Sequence, residues 1–305
     1  MNKLEKIKGD CKYITEDGTL LVSINMRNGV YVYNLQSKKQ ILQCKTVSHV
    51  SHVIVSKDKK LLAAKNTSGT IALISMDSGE ELGRNVMQRR EGYDMTFIAD
   101  DKYILDFDWD GRTMLLDCAT MSHSILDGGM DTELPRIRYM HYDKYNKKIY
   151  RFVAYNWGNS PGKIQISKAD IENISYKNVC SFKDSLPDHI DGISFCRQHI
   201  YYRDLNKKEF VVTDKYFKEE SRIPFPDDLK EYEWHTFWVS EGEKYMLCYV
   251  DEKCEDGKSY AILYDLSTMD RIEIFEMNYV SNFMTYDEEH KFVISTWNGS
   301  YLGEF

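Results

Sequence analysis

Seven times along this 305-residue chain an apolar run ends at a tight turn and a second apolar run follows. The turns centre on Gly29, Gly69, Gly111, Gly162, Lys207 (within Asn206-Lys207), Gly257 and Gly299. They stand 40, 42, 51, 45, 50 and 42 residues apart, an average of 45. A recurrence of this length marks a supersecondary unit that cannot bury its apolar faces alone and stacks against copies of itself. The unit is built of short strands, so the pattern predicts a radially repeated all-β architecture. Length alone would suggest about two domains. No linker or low-complexity stretch interrupts the repeat, and a single domain over 1–305 is expected.

Each unit reads as four strands. In the first, Asp10–Thr15, Leu20–Asn25, Val30–Asn34 and Gln40–Lys45 alternate with turn residues. Asn28-Gly29 lies between the second and third, where a type I′ hairpin is expected because both central residues need positive φ. Ser68-Gly69, Asp110-Gly111, Asp256-Gly257 and Asn298-Gly299 sit in the same place. The second strands carry consecutive apolar residues: Leu61-Leu62-Ala63-Ala64, Tyr103-Ile104-Leu105, Tyr245-Met246-Leu247-Cys248 and Phe292-Val293-Ile294. Such runs are buried on both faces, as for a sheet held between two others. Helical periodicity is nearly absent, and Asp227–Tyr232 reads as a turn.

The last unit runs Asn282–Tyr286, Lys291–Thr296 and Ser300–Phe305, stopping after its third strand. The first is preceded by a spare alternating segment, Leu4–Lys8. That segment is expected to serve as the fourth strand of the last sheet, closing a ring and leaving no free edge. Seven blades result.

This pattern resembles the WD40-like and YVTN-like β-propeller family of bacterial type, over essentially the whole chain. The Trp-Asp dipeptide that ends a family repeat's third strand corresponds to Tyr33-Asn34, Ile74-Ser75, Leu116-Asp117, Thr213-Asp214, Tyr264-Asp265 and Gly303-Glu304. Three of these keep the Asp and none keeps the Trp. Ser56-Lys57-Asp58-Lys59-Lys60-Leu61 and Tyr264-Asp265-Leu266-Ser267-Thr268 are the most family-like phrases. The resemblance implies an all-β, seven-bladed propeller of four-stranded antiparallel blades, closed by the N-terminal strand. It also implies a role as an interaction platform.

Composition narrows the chemistry. A net charge of −8, with no run of basic residues longer than two, as at Arg89-Arg90, argues against nucleic acid as a general partner. No apolar run approaches the roughly 18 residues that span a bilayer, and the N-terminus lacks the apolar stretch of a signal peptide. Seven cysteines without a CxxC pair read as free thiols of a reducing cytoplasm. A cytoplasmic monomer without cofactor is expected. Gly158-Asn159-Ser160-Pro161-Gly162 has the Gly-x-Ser-x-Gly spacing but falls in the fourth unit's hairpin turn, not in a strand-to-helix elbow, and no phosphate loop occurs, so no catalytic residue is assigned.

Asp106-Phe107-Asp108-Trp109-Asp110-Gly111 matches the start of a calcium loop. In the register of propeller calcium loops the next ligand position is Met114, and in that of an EF-hand the twelfth is Asp117 rather than Glu. The loop is incomplete in both, and Asp106, Asp108 and Asp110 are favoured as a strand end and hairpin. His49-Val50-Ser51-His52 has no third ligand nearby and is a weak zinc candidate.

The aromatic residues point further. Trp109, Trp157 and Trp297 all fall at the end of a second strand or in its turn. Trp234, Tyr93 and Tyr279, with Arg136 and His189, fall in the connections between units, and Arg27 in the first unit's equivalent turn. In a propeller these positions share one face, and aromatic residues with arginine are what protein-binding hot spots use. The expectation is a non-enzymatic scaffold that binds a protein or peptide through this face. The alternative is a small-molecule or carbohydrate-binding propeller, with hydrolase or lactonase chemistry at its channel mouth.

Overall fold

The computed structural model describes residues 4–25, 29–45, 47–86, 92, 94–108, 112–127, 136–143, 148–154, 163–170, 175–182, 190–254 and 257–305. The chain separates into two compact units, residues 12–188 and residues 1–11 with 189–305. A short strand β1 (Glu5–Ile7) comes first. The 12–188 unit then holds four antiparallel sheets. They are β2 (Asp10–Ile14) to β5 (Lys39–Cys44) through β3 (Leu20–Asn25) and β4 (Gly29–Asn34); and β6 (Val50–Val55), β7 (Leu61–Asn66), β8 (Thr70–Ser75) and β9 (Glu81–Val86). Next come β10 (Met95–Ile98), β11 (Tyr103–Phe107), β12 (Thr113–Asp117) and β13 (His123–Asp127), then β14 (Arg136–Asp143), β15 (Lys148–Ala154), β16 (Lys163–Asp170) and β17 (Ser175–Phe182).

The other unit holds three sheets. One joins β18 (Ile190–Phe195), β19 (Ile200–Asp204), β20 (Glu209–Thr213) and β21 (Glu219–Pro224). After a 3-10 turn at Asp227–Glu231 follow β22 (Tyr232–Val239), β23 (Tyr245–Glu252), β24 (Ser259–Asp265) and β25 (Arg271–Glu276). The last joins β26 (Val280–Tyr286), β27 (Lys291–Thr296) and β28 (Gly299–Glu304). Its fourth strand is β1, antiparallel to β28 with Ile7 opposite Ser300, as the spare N-terminal segment predicted.

The second strands are buried on both faces because neighbouring residues of a strand point to opposite sides. In β7, Leu62 and Ala64 pack with Val22, Val30 and Val32 of the preceding sheet. Ala63, between them, packs instead with Met95, Ile104 and Leu116 of the following one. In β23 the same division sends Met246, Cys248 and Val250 toward Phe210 and Phe237, and Leu247 and Tyr249 toward Phe283, Phe292 and Ile294. The fourth strands β5, β9 and β25 are largely exposed.

Two turn details differ from expectation. Thr296 pairs directly with Gly299, leaving Trp297-Asn298 as the loop, and neither residue has positive φ. Gly299 itself carries it, at 142°, and a Cβ there would stand 2.7 Å from Lys6 and 3.0 Å from the Ile7 carbonyl. Ser68-Gly69 belongs to a three-residue loop in which Gly69 alone has φ of 84°. A three-residue loop of this kind ends in one left-handed residue, so a single glycine suffices where a type I′ turn needs two such positions.

The Asp positions of the family-like dipeptides act as turn caps. Asp117 Oδ1 accepts the Ala119 and Thr120 amides, Asp214 Oδ1 those of Tyr216 and Lys218, and Asp265 Oδ1 those of Ser267 and Thr268. At the same end of the sheets, the turns between first and second strands bond to one another. Lys59 pairs with Asp17, the Gly242 amide donates to Glu289 (2.7 Å), and the Gln198 and His199 amides donate to Glu243 Oε1 (2.8 and 3.0 Å).

Glu243 is the centre of that belt. Its Oε2 lies 2.5 Å from His199 Nδ1 and accepts from the Tyr201 hydroxyl at 2.9 Å. Burial works to raise the Glu243 carboxyl, but hydrogen bonds from His199, the Gln198 and His199 amides and Tyr201 outweigh it and hold it below the usual range. A carboxylate with a depressed folded pKa contributes stability above its unfolded pKa and loses it as pH falls through the folded value. Urea unfolding should therefore show Glu243→Gln less stable than the native chain by about 1–3 kcal/mol at neutral pH. The gap should narrow as pH falls below about 4.3; a gap independent of pH would contradict this role.

Candidate functional site

At the end of the 189–305 unit opposite the turn belt, the start of β22 pairs with the end of β23, placing Glu233 opposite Asp251. The start of β26 pairs likewise with the end of β27, Val280 opposite Thr296. Tyr279 immediately precedes β26, and Trp297 immediately follows β27. Their rings stack, 5.2 Å between centroids and 7° between planes. Both are exposed, Tyr279 at 55% and Trp297 at 61%. The Trp297 amide donates to the Tyr279 carbonyl (3.3 Å), and the Tyr279 amide donates to the Tyr249 hydroxyl (2.9 Å).

The ladder continues inward. Tyr249 stacks on the His235 ring (4.7 Å, 25°), and His235 Nε2 lies 2.6 Å from Asp251 Oδ2. Beside it, the buried Arg203 guanidinium sits 5.1 Å from the Trp234 ring and donates through Nη2 to the His235 carbonyl at 3.3 Å. Trp234 packs in turn on Phe225 and Phe210. Glu252 accepts the Tyr260 hydroxyl (2.8 Å), which holds the Glu252 carboxyl below its ordinary range and pushes the Tyr260 hydroxyl up to about 12.

Of the residues expected from sequence, Tyr279 and Trp297 come together. Tyr279 has φ of 58°, a feature it shares with His49, which likewise precedes the first strand of its sheet. The His49 carbonyl accepts the Thr67 amide, the equivalent of the Tyr279–Trp297 backbone bond, so the connection residue here has a structural task. Trp234 lies within β22 rather than in a connection, because the strand begins two residues earlier; it is half-buried beside Arg203. Trp109, Trp157, Tyr93, Arg27, Asp110 and His189 lie outside the described residues, as does the side chain of Arg136, whose backbone opens β14. The sequence reading missed His235, Tyr249, Arg203 and Asp251. The alternation of Glu233, Trp234 and His235 at a strand start was the available signal.

No family model matches this chain, and no curated protein does. Among solved structures it is similar to the crystal structure of the Myceliophteria thermophila Cps50 (Swd1) β-propeller domain. The TM-score is 0.71 at 8% identity, covering 99% of this chain and 100% of that one. With seven four-stranded antiparallel sheets, that likeness defines the fold as a seven-bladed β-propeller.

The acidic loop after β11 is engaged by cations of the chain itself. Lys65 Nζ lies 2.6 Å from Asp106 Oδ1 and donates to the Phe107 carbonyl at 3.0 Å, with both side chains of the pair buried. Burial pushes the Asp106 carboxyl up to about 6 against the pull of Lys65, and the charge of Asp108 adds to the rise. Asp108 takes the Arg112 side chain at 2.6 Å and its amide at 2.9 Å. Among the described residues no group of three His, Cys, Asp or Glu is arranged for a metal ion. Millimolar calcium should leave the melting temperature unchanged. A rise would mean that these carboxylates release Lys65 and Arg112 to a native-state ligand.

Proposed function

We propose that this propeller is a scaffold that binds another protein or a peptide through the aromatic end of its 189–305 unit. The observation that carries the reading is the stacked, exposed pair Tyr279 and Trp297. Large aromatic rings left in water are costly unless a partner covers them, and Trp and Tyr are enriched at the centres of protein interfaces. Of the other exposed apolar residues, Ile41, Leu82, Val86, Ile125, Ile272 and Ile274 lie on outer fourth strands and Leu205 and Tyr216 in turns, where exposed apolar side chains are an ordinary feature of protein surfaces. Tyr279 and Trp297 are also held by backbone hydrogen bonds, which lowers the entropy lost when a partner docks. The fold supports the reading only as a rigid platform, since propellers host many functions.

Affinity capture from a native lysate tests it, with the native chain beside a Tyr279→Ala/Trp297→Ala variant. A partner held by the native chain should be lost by the variant, at a cost of about 2 kcal/mol or more per hot-spot ring. Equal capture by both proteins would refute this surface.

A further inference from the structure

We propose that the aromatic end receives an arginine side chain from a basic peptide segment. The guanidinium stacks on Trp297, and Glu231, Glu233 and Asp251 supply the opposite charge. The inference rests on the binding surface proposed above and names the chemistry of its partner.

Three observations carry it. First, an indole attracts cations to its face through the ring quadrupole, and Trp does so best among the aromatic residues. At 61% exposure the Trp297 ring keeps contact area beyond what Tyr279 covers. Its plane is fixed by the parallel stack on Tyr279 and by the backbone bond between the two residues.

Second, carboxylates stand at the start of β22 and the end of β23, on the sheet next to the one that carries Trp297. Glu231 and Glu233 are exposed and have no ion-pair partner among the described residues. Asp251, opposite Glu233 across the strand pair, bonds His235 through Oδ2, while its Oδ1 is buried with no hydrogen-bond partner among the described residues, so it contributes through its charge rather than by direct contact. The lysines beside these carboxylates have partners of their own, Lys230 in Asp227 (2.5 Å), Lys253 in the Lys230 carbonyl (2.6 Å) and Lys258 in Glu276 (2.7 Å), and Lys6, which packs on the Gly299 turn, lies over the Tyr301 ring at 5.4 Å. Charge complementarity therefore selects a cationic partner segment, in keeping with the chain's net charge of −8.

Third, arginine fits the combination better than lysine. Its guanidinium is planar, less strongly hydrated than an ammonium, stacks on aromatic faces and offers donors at its edge to nearby carboxylates.

The test uses the full chain and a matched set of short, end-blocked synthetic peptides in which one position is Arg, Lys, Gln or Glu. Isothermal titration gives affinities, and the Trp297 indole NMR signal reports the place of contact. The arginine peptide should bind about five-fold tighter than the glutamine peptide, equivalent to about 1 kcal/mol, with lysine between them. Its affinity should fall about five-fold in Trp297→Ala and weaken in Glu233→Gln, and added salt should weaken it further. Trp297-dependent binding of the Gln or Glu peptide as tight as that of Arg would overturn the cationic partner while leaving the aromatic surface in place. Arginine binding unchanged in Trp297→Ala, or no shift of the Trp297 indole with any peptide, would overturn the proposal. The capture comparison reports separately on the surface itself.

Discussion

The sheets of this protein depend on a division of labour within single strands, seen in full in β7 and β23. Because side chains alternate, one strand can contribute to two cores at once, and the second strands do so residue by residue. Leu62 and Ala64 belong to one cluster while Ala63 belongs to another. Leu247 and Met246 are divided in the same way. No sheet is stable by its own packing alone, so repetition is a physical requirement of the fold.

That arrangement consumes the apolar residues in the middle of the strands and hands the ends to polar chemistry. Strand ends expose amides that turn residues must satisfy, which is the task of Asp117, Asp214 and Asp265. One end is further tied by contacts between turns, with Glu243 gathering two amides, an imidazole and a phenol. The opposite end has a different composition in the 189–305 unit. There the hydrogen bonds hold up a ladder of rings, Tyr249 linking the His235 stack to the Tyr279 and Trp297 stack. A surface that is rigid, aromatic and acidic is suited to recognition.

The repeat was legible because its signals are local. Consecutive apolar residues marked the buried second strands, glycine marked the turns, and the alternating segment before the first unit marked the strand beside β28. Turn type was less legible: Asn298-Gly299 does not form a type I′ turn, since strand register puts Gly299 into the strand opposite Thr296. The site was half legible. Tyr279 and Trp297 stood at connection and turn positions, whereas Tyr249 was concealed in an apolar run and Arg203 gave no sign of being buried. Their roles arise from contacts across sheets, between residues 30 or more positions apart, which no local pattern encodes. Asp106 shows the converse case, a motif suggestive of a cation whose carboxylate meets Lys65, 41 positions earlier in the chain.

The central claim is that the Tyr279–Trp297 end is a contact surface. It is tested most directly by photo-crosslinking in cells, with the reactive group at Asn298, beside the intact aromatic pair, and at Ile41 on an outer strand for comparison. The account predicts a discrete adduct from position 298 that disappears when Trp297→Ala is added, and none of comparable yield from position 41. Equal adducts from both positions, or an adduct at 298 indifferent to Trp297, would contradict it.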